Sequence, residues 1–311
     1  MKKRLTFIFP GQGAQGVGMG KEFIQNKAFK ETLEKGCDLL NRDLRKIMFE
    51  GPEEELNLTK NSQPALFIYS IALFEMLKKE FPQLAPHTAL GLSLGEYSAF
   101  VAAGILPFEE TLRVVQARGD LMGKACEMRP GTMAVVLGLE ADQVIELVKE
   151  ANLPSDLWAA NFNSPGQVVI SGTERGIAKG TELAKAKGAK RVLPLAVQGA
   201  FHSGLMESAL KGLQPLVDTL PIKESPTKVV MNVSANYPAN ASEIRKNLVL
   251  QVTHPVLWAQ SIDRVKGETE IFVEAGYGET LKGLNKRIGV FAPTVTFKEP
   301  ADLETFAKEI L

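Results

Sequence analysis

The chain has 311 residues, 36 Lys plus Arg against 36 Asp plus Glu, and 45% hydrophobic residues. That is ordinary globular composition, long enough to bury a full core without disulfides. Zero net charge excludes a broadly basic nucleic-acid or membrane-surface binder, and the two cysteines, Cys37 and Cys126, make neither a disulfide framework nor a thiolate zinc site. Three histidines argue against a multi-histidine metal centre and leave few candidates for a catalytic imidazole.

Met1-Lys2-Lys3-Arg4 has the charge of a signal-peptide start. The apolar run that follows, Leu5 to Phe9, is cut by Pro10-Gly11 and is too short for an export core. No stretch approaches the ~18 apolar residues of a membrane helix. A cytoplasmic protein is expected.

Leu5 to Phe9 reads as a buried strand. Residues 20–50 have helical character. Gln63 to Leu77 is strongly helical, with Ala65, Ile68, Ala72 and Leu73 recurring near i, i+3, i+4. Thr88 to Leu92 reads as a short strand, Ser93 to Ala103 as a helix closed by Gly104, and Phe108 to Glu127 as another helix. Lys228 to Val233 and Glu270 to Val273 are two further strands, each followed by a helical stretch. Strands alternating with helices predict a parallel α/β sheet.

Between Gly131 and Val197 the rhythm changes. Strands are expected at 132–138, 157–162, 167–171 and 191–197, with helices at 142–152 and 175–187. This β-α-β-β-α-β order is ferredoxin-like. We read residues 129–197 as a small subdomain inserted into a large α/β domain made of 1–128 and 198–311. A cleft between them is a natural ligand site.

Gly91-Leu92-Ser93-Leu94-Gly95 is a G-x-S-x-G motif between a predicted strand and a predicted helix. There a tight turn would strain the serine and push Oγ outward, with a helix N-terminus beside it. The bland alternative is a structural turn with a helix-capping serine. A serine nucleophile needs a base. His202 follows the insert's last strand, among small residues at a domain junction. His254, in Thr253-His254-Pro255, is the second candidate. His87 lies at the far end of the serine strand and reads as a surface residue.

Gly11-Gln12-Gly13-Ala14-Gln15-Gly16 matches G-x-G-x-x-G after a strand. The second strand and acidic residue of a dinucleotide unit are missing. A loop whose backbone N–H groups face Ser93 as an oxyanion hole fits better.

Taken together, several motifs resemble the malonyl-CoA:acyl carrier protein transacylases of type II fatty acid synthesis. They are Phe9-Pro10-Gly11-Gln12-Gly13, Gly91 to Ala99, Gln116-Ala117-Arg118-Gly119, Asn161 to Gln167, Ala200-Phe201-His202-Ser203 and Gly283 to Arg287. They run in the family's order over nearly the whole chain. The resemblance implies a hydrolase-like α/β domain with a ferredoxin-like insert. It implies Ser93 as nucleophile, His202 as base and acid, and a carbonyl at Gln251 that orients the histidine in place of a triad carboxylate. Gln12 and Leu94 would supply oxyanion N–H donors. Arg118 would bind the malonyl carboxylate, and Phe201 would narrow the acyl pocket toward malonyl. Two positions depart from the family pattern: Leu92, where histidine is frequent, and Tyr277 in Gly276-Tyr277-Gly278, where proline is common.

The implied reaction is ping-pong, from malonyl-CoA to the phosphopantetheine thiol of acyl carrier protein, with no metal or redox cofactor. The partner is acidic, so a basic surface by the cleft is expected, from Lys187, Lys190 and Arg191 or from Lys282, Lys286 and Arg287. The protein is expected to be a monomer that binds neither nucleic acid nor membrane. The rival readings are a serine esterase or thioesterase with the same Ser/His pair, a dinucleotide-dependent oxidoreductase, and a non-catalytic carrier-docking module.

Overall fold

The computed structural model describes residues 3–310, so Met1 and Lys2 of the charged start lie outside it. After β1 (Leu5–Phe9) come α1 (Lys27–Leu40), α2 (Leu44–Glu50), α3 (Glu53–Asn57) and the long α4 (Thr59–Glu80). Then follow β2 (Pro86–Gly91), α5 (Gly95–Ala102) and α6 (Phe108–Met128). The next group is β3 (Thr132–Leu137), α7 (Ala141–Ala151), β4 (Leu157–Ser164), β5 (Gln167–Gly172), α8 (Glu174–Ala186) and β6 (Arg191–Pro194). A 3-10 turn at Gly204–Met206 leads into α9 (Glu207–Asp218), β7 (Lys228–Val229), α10 (Ala241–Leu250) and α11 (Trp258–Val265). The chain ends with β8 (Ile271–Glu274), α12 (Thr280–Ile288), β9 (Thr294–Val295) and α13 (Ala301–Ile310).

All five residues of β1 are buried, as a central parallel strand with both faces covered requires. It pairs with β2 on one side and β8 on the other, in the order β7-β2-β1-β8-β9, every pairing parallel. Phe7 and Phe9 pack with Phe74 of α4 on one face, while Ile8 joins Leu90, Trp258 and Phe272 on the other. Truncating one such buried Phe to Ala costs about 3–5 kcal/mol.

The second sheet is antiparallel, in the order β4-β5-β3-β6, as the ferredoxin-like pattern predicts. Its period of two divides the work. Ala134, Val136, Val168 and Ile170 face α7 and α8, packing with Val144, Leu147 and Ala184. Met133 and Val169 face the other way and join the core of the large sheet. The bonds Phe162 N to Val256 O and Val256 N to Ala160 O, both 2.9 Å, tie β4 to the segment before α11.

Three expectations need correcting. The strand at 228–233 stops at Val229, because Met231 bridges back to Asn236 and Asn232 turns its polar groups onto the serine turn. The helical region 20–50 is turns up to Asn26 and then two helices, broken where Asn41 takes a left-handed conformation (φ 49°). The helix read at 63–77 extends from Thr59 to Glu80 despite an internal Pro64. Pro64 has no N–H for the carbonyl of Lys60, and the side chains of Gln116 and Arg42 donate to that oxygen instead. Among the described residues, no helix is long and apolar enough to cross a membrane.

Candidate active site

β2 ends at Gly91 beside Phe9, the last residue of β1, and α5 starts at Gly95. The turn between them sits at the carboxyl edge of a parallel sheet, where open α/β sheets place ligands. Its two glycines are steric necessities. A Cβ on Gly95 would stand 2.0 Å from the carbonyl oxygen of Phe9, and one on Gly91 would stand 1.9 Å from the carbonyl carbon of Gly95. Ser93 is left at φ 53°, a strained conformation for a non-glycine residue that costs on the order of 1–3 kcal/mol. Its N–H donates to Asn232 Oδ1 at 2.7 Å, and Asn232 Nδ2 donates to Gly91 O at 2.7 Å, so one side chain holds both ends of the bend.

His202 reaches the same point from the segment after β6. It too has a positive φ, 57°, and its N–H donates to Val252 O. Its Nδ1 lies 2.7 Å from the main-chain oxygen of Gln251. A carbonyl can only accept, so Nδ1 carries the hydrogen and Nε2 is bare. Nε2 stands 2.9 Å from Ser93 Oγ, placed to accept the hydroxyl proton. Burial, and then the Arg118 charge, lower the His202 pKa to about 4, so the imidazole is neutral at neutral pH.

Arg118, on α6, is 1% exposed. It donates to Gln63 Oε1 at 2.6 Å, Gln251 Oε1 at 2.8 Å and Ser93 Oγ at 3.1 Å. Its Nε has no partner, and Tyr97 lies under the guanidinium with 5.7 Å between Cζ and the ring centroid. Every acceptor is neutral. A buried cation with neutral partners and an idle N–H is costly, and suits an anion that arrives from outside.

A cavity of about 260 Å³ opens onto these groups, lined by Gln12, Ser93, Arg118, Phe201 and His202 from the large sheet's side and by Met133, Asn161 and Gln167 from the small sheet. Phe201 is nearly buried beside His202. The backbone N–H groups of Gln12 and Leu94 have no protein acceptor among the described residues. Gln12 donates its side-chain amide to Thr59.

The remaining expected positions divide cleanly. His87 opens β2 at the end away from Ser93, with its ring 3.9 Å from Glu268. His254 caps the end of α10, with Nδ1 3.0 Å from Leu250 O. The loop Gly11–Gly16 is followed by turns, with no helix before Lys27, so it lacks the helix N-terminus of a dinucleotide site. Leu92 packs against Gly11 and lines the cavity. Tyr277 lies against Gly16 and edge-on to Tyr69, which accounts for its size in that loop. Of the basic residues, Lys187 pairs with Glu150 and Lys282 with Glu279. Arg287 sits at the cleft mouth, donating to Gln167 Oε1 at 2.9 Å.

Sequence reasoning passed over Asn232, Gln63 and Glu96. Glu96 is fully buried and accepts from Asn232 N at 2.7 Å and from the Gln251 side-chain amide. Burial pushes its pKa up to about 8, against the pull of those two donors and of Arg118. Its place in Gly95-Glu96, one residue into a buried helix, was the available signal. Asn232 offered none, because its role depends on a strand ending early. Among the described residues, no group of three or more His, Cys, Asp or Glu could hold a metal ion.

The family model for the acyl transferase domain matches residues 6–281. The malonyl CoA-acyl carrier protein transacylase of Bacillus subtilis (strain 168) is 40% identical over 304 residues, covering 97% of this chain and 95% of its own. This chain belongs to the malonyl-CoA:acyl carrier protein transacylase family. A second member, from Haemophilus influenzae, is 38% identical over 92% of each chain. Among solved structures, the malonyl CoA-acyl carrier protein transacylase of Coxiella burnetii matches with a TM-score of 0.95, 31% identity, and coverage of 100% of this chain and 98% of its own. A malonyl-transacylase solved in complex with its type II PKS acyl-carrier protein matches with a TM-score of 0.93, 35% identity, and coverage of 99% and 100%. The family's acyltransferase assignment agrees with the parallel-sheet body and small antiparallel sheet described above.

Proposed function

We propose that this protein transfers the malonyl group of malonyl-CoA to the phosphopantetheine thiol of acyl carrier protein, through a malonyl ester on Ser93. The observation that carries this reading is the buried Arg118 guanidinium, 3.1 Å from Ser93 Oγ and hydrogen-bonded to neutral acceptors alone. A nucleophile beside such a cation is suited to an acyl group that ends in a carboxylate.

In the first half-reaction, Ser93 Oγ attacks the thioester carbonyl as His202 Nε2 takes its proton. The tetrahedral oxyanion rests on the N–H groups of Gln12 and Leu94. The C–S bond breaks, and His202 returns the proton to the CoA sulfur. In the second half, the carrier thiol gives its proton to His202 and attacks the ester. The C–O bond then breaks, and the proton returns to Ser93. The Gln251 carbonyl stabilises each imidazolium stage and fixes the ring. No step needs a metal or redox cofactor.

Residues 1–128 and 198–311 form the hydrolase-like catalytic domain in this reading, and 129–197 the ferredoxin-like subdomain over the cleft. Phe201 limits the pocket to the malonyl group. Arg287, Lys286 and Arg191, none of which forms an ion pair among the described residues, supply the basic surface for an acidic carrier protein. The protein works as a monomer in the cytoplasm. Product analysis with malonyl-CoA and holo carrier protein tests the acceptor: malonyl-carrier protein is expected, and free malonate as the main product would favour a thioesterase.

A further inference from the structure

Glu96 is the one carboxylate in the site's hydrogen-bond network, and it bonds to none of the reacting groups. One oxygen accepts the N–H of Asn232, whose side chain holds the Ser93 N–H and Gly91 O. The other accepts the side-chain amide of Gln251. That amide also donates to Ser93 O at 2.9 Å, while its oxygen accepts from Arg118. Both Glu96 oxygens act as acceptors in this geometry, and with Ser93 O, which can only accept, and Arg118, which can only donate, they set which end of the Gln251 amide faces which neighbour. The NH₂ points at Glu96 and Ser93 O, and the oxygen points at Arg118.

We infer that Glu96 is a positioning residue for acyl selection: together with Ser93 O it holds the orientation of the Gln251 amide, and through it the guanidinium of Arg118 that receives the malonyl carboxylate. This rests on the function proposed above. With the amide reversed, an NH₂ would face the guanidinium, donor against donor, and Arg118 would lose its aim at the acyl group. The anchoring of Asn232 is a separate, structural use of the other oxygen.

Glu96→Gln conserves shape but adds a donor. If its oxygen stays on the Asn232 N–H, its NH₂ faces the Gln251 amide and favours the reversed form. The test measures Ser93 acylation by malonyl-CoA and by acetyl-CoA, in wild type, Glu96→Gln, Gln251→Met and the double variant. Gln251→Met keeps the backbone carbonyl under His202 and removes the amide. We expect Glu96→Gln to lower the malonyl-to-acetyl ratio of kcat/KM by about 10-fold, with the double variant no worse than Gln251→Met alone, as residues acting through one contact should be non-additive. An unchanged ratio in Glu96→Gln, or fully additive losses, would overturn the inference. Equal losses for both acyl groups would also overturn it, since that is what general structural damage produces. Should Glu96→Gln alone fail to fold, the double variant has no facing amide and carries the test: it must match Gln251→Met. No Ser93 ester on wild type would instead remove the functional reading, and this inference with it.

Discussion

His202 Nδ1 stands 2.7 Å from the main-chain oxygen of Gln251, the position a carboxylate occupies in a serine triad. The acceptor is neutral and belongs to the backbone, so it fixes the tautomer without adding a charge. With Arg118 nearby and no anion on the ring, His202 stays a weak base until substrate enters.

The first prediction concerns pH. The His202 pKa is lowered to about 4 in the free protein, and only the neutral ring can accept the Ser93 proton. kcat/KM for malonyl-CoA, which reports the free enzyme, should hold from neutrality to about pH 5 and fall only below it. An acid limb near the ordinary histidine value of about 6.5 would contradict the burial argument. Stability follows the same sign: the unfolded ring takes a proton first, so His202 favours the fold above about pH 6.5, and that contribution is lost as the pH falls toward 4.

The second concerns acyl choice. Arg118→Ala should reduce malonyl transfer by about 10²-fold or more, because a bidentate charge-assisted contact is gone, and should reduce acetyl transfer much less. Arg118→Lys should recover little, since an ammonium cannot make the paired contact. Steady-state rates with both thioesters check this. Malonyl preference that persists in Arg118→Ala would move the carboxylate site elsewhere.

Much of this is legible in the sequence alone. The alternation of strands and helices gave the parallel sheet, and the β-α-β-β-α-β rhythm gave the second one. Ser93 could be read because a strand, two glycines and a helix leave it one conformation. His202 could only be ranked above His254 from spacing, and the family resemblance was needed to choose. What the sequence hid were polar residues whose work depends on distant partners. Asn232 lies 139 positions from Ser93, and Gln63 lies 55 from Arg118. β7 is shorter than its sequence predicts for a related reason: Val230 and Met231 have the composition of a strand, but the chain must leave the sheet so that Asn232 can turn to the serine.

A third prediction tests the hidden brace. Asn232→Ala removes hydrogen bonds to both Ser93 N and Gly91 O in a buried setting, and should cost about 1–3 kcal/mol of stability. Acylation by malonyl-CoA should slow as well, since the serine turn loses its support. Denaturant unfolding and single-turnover acylation measure the two effects. A variant as stable and as fast as wild type would show that the turn holds itself.

A fourth follows from sterics. The methyl group of Gly95→Ala would stand 2.0 Å from the backbone oxygen of Phe9, so helix α5 and strand β1 must move apart. A destabilisation of at least about 3 kcal/mol is expected, at the upper end for overpacking, because the obstructing atom is main chain. Thermal unfolding of the purified variant reads it directly.

The most direct test of the central claim is intact-mass analysis after mixing the protein with malonyl-CoA and no acceptor. The account predicts one malonyl-sized adduct on wild type, mapped to Ser93 by peptide analysis and absent from Ser93→Ala. An adduct that survives in Ser93→Ala, or acyl transfer to carrier protein that proceeds without Ser93, would contradict it.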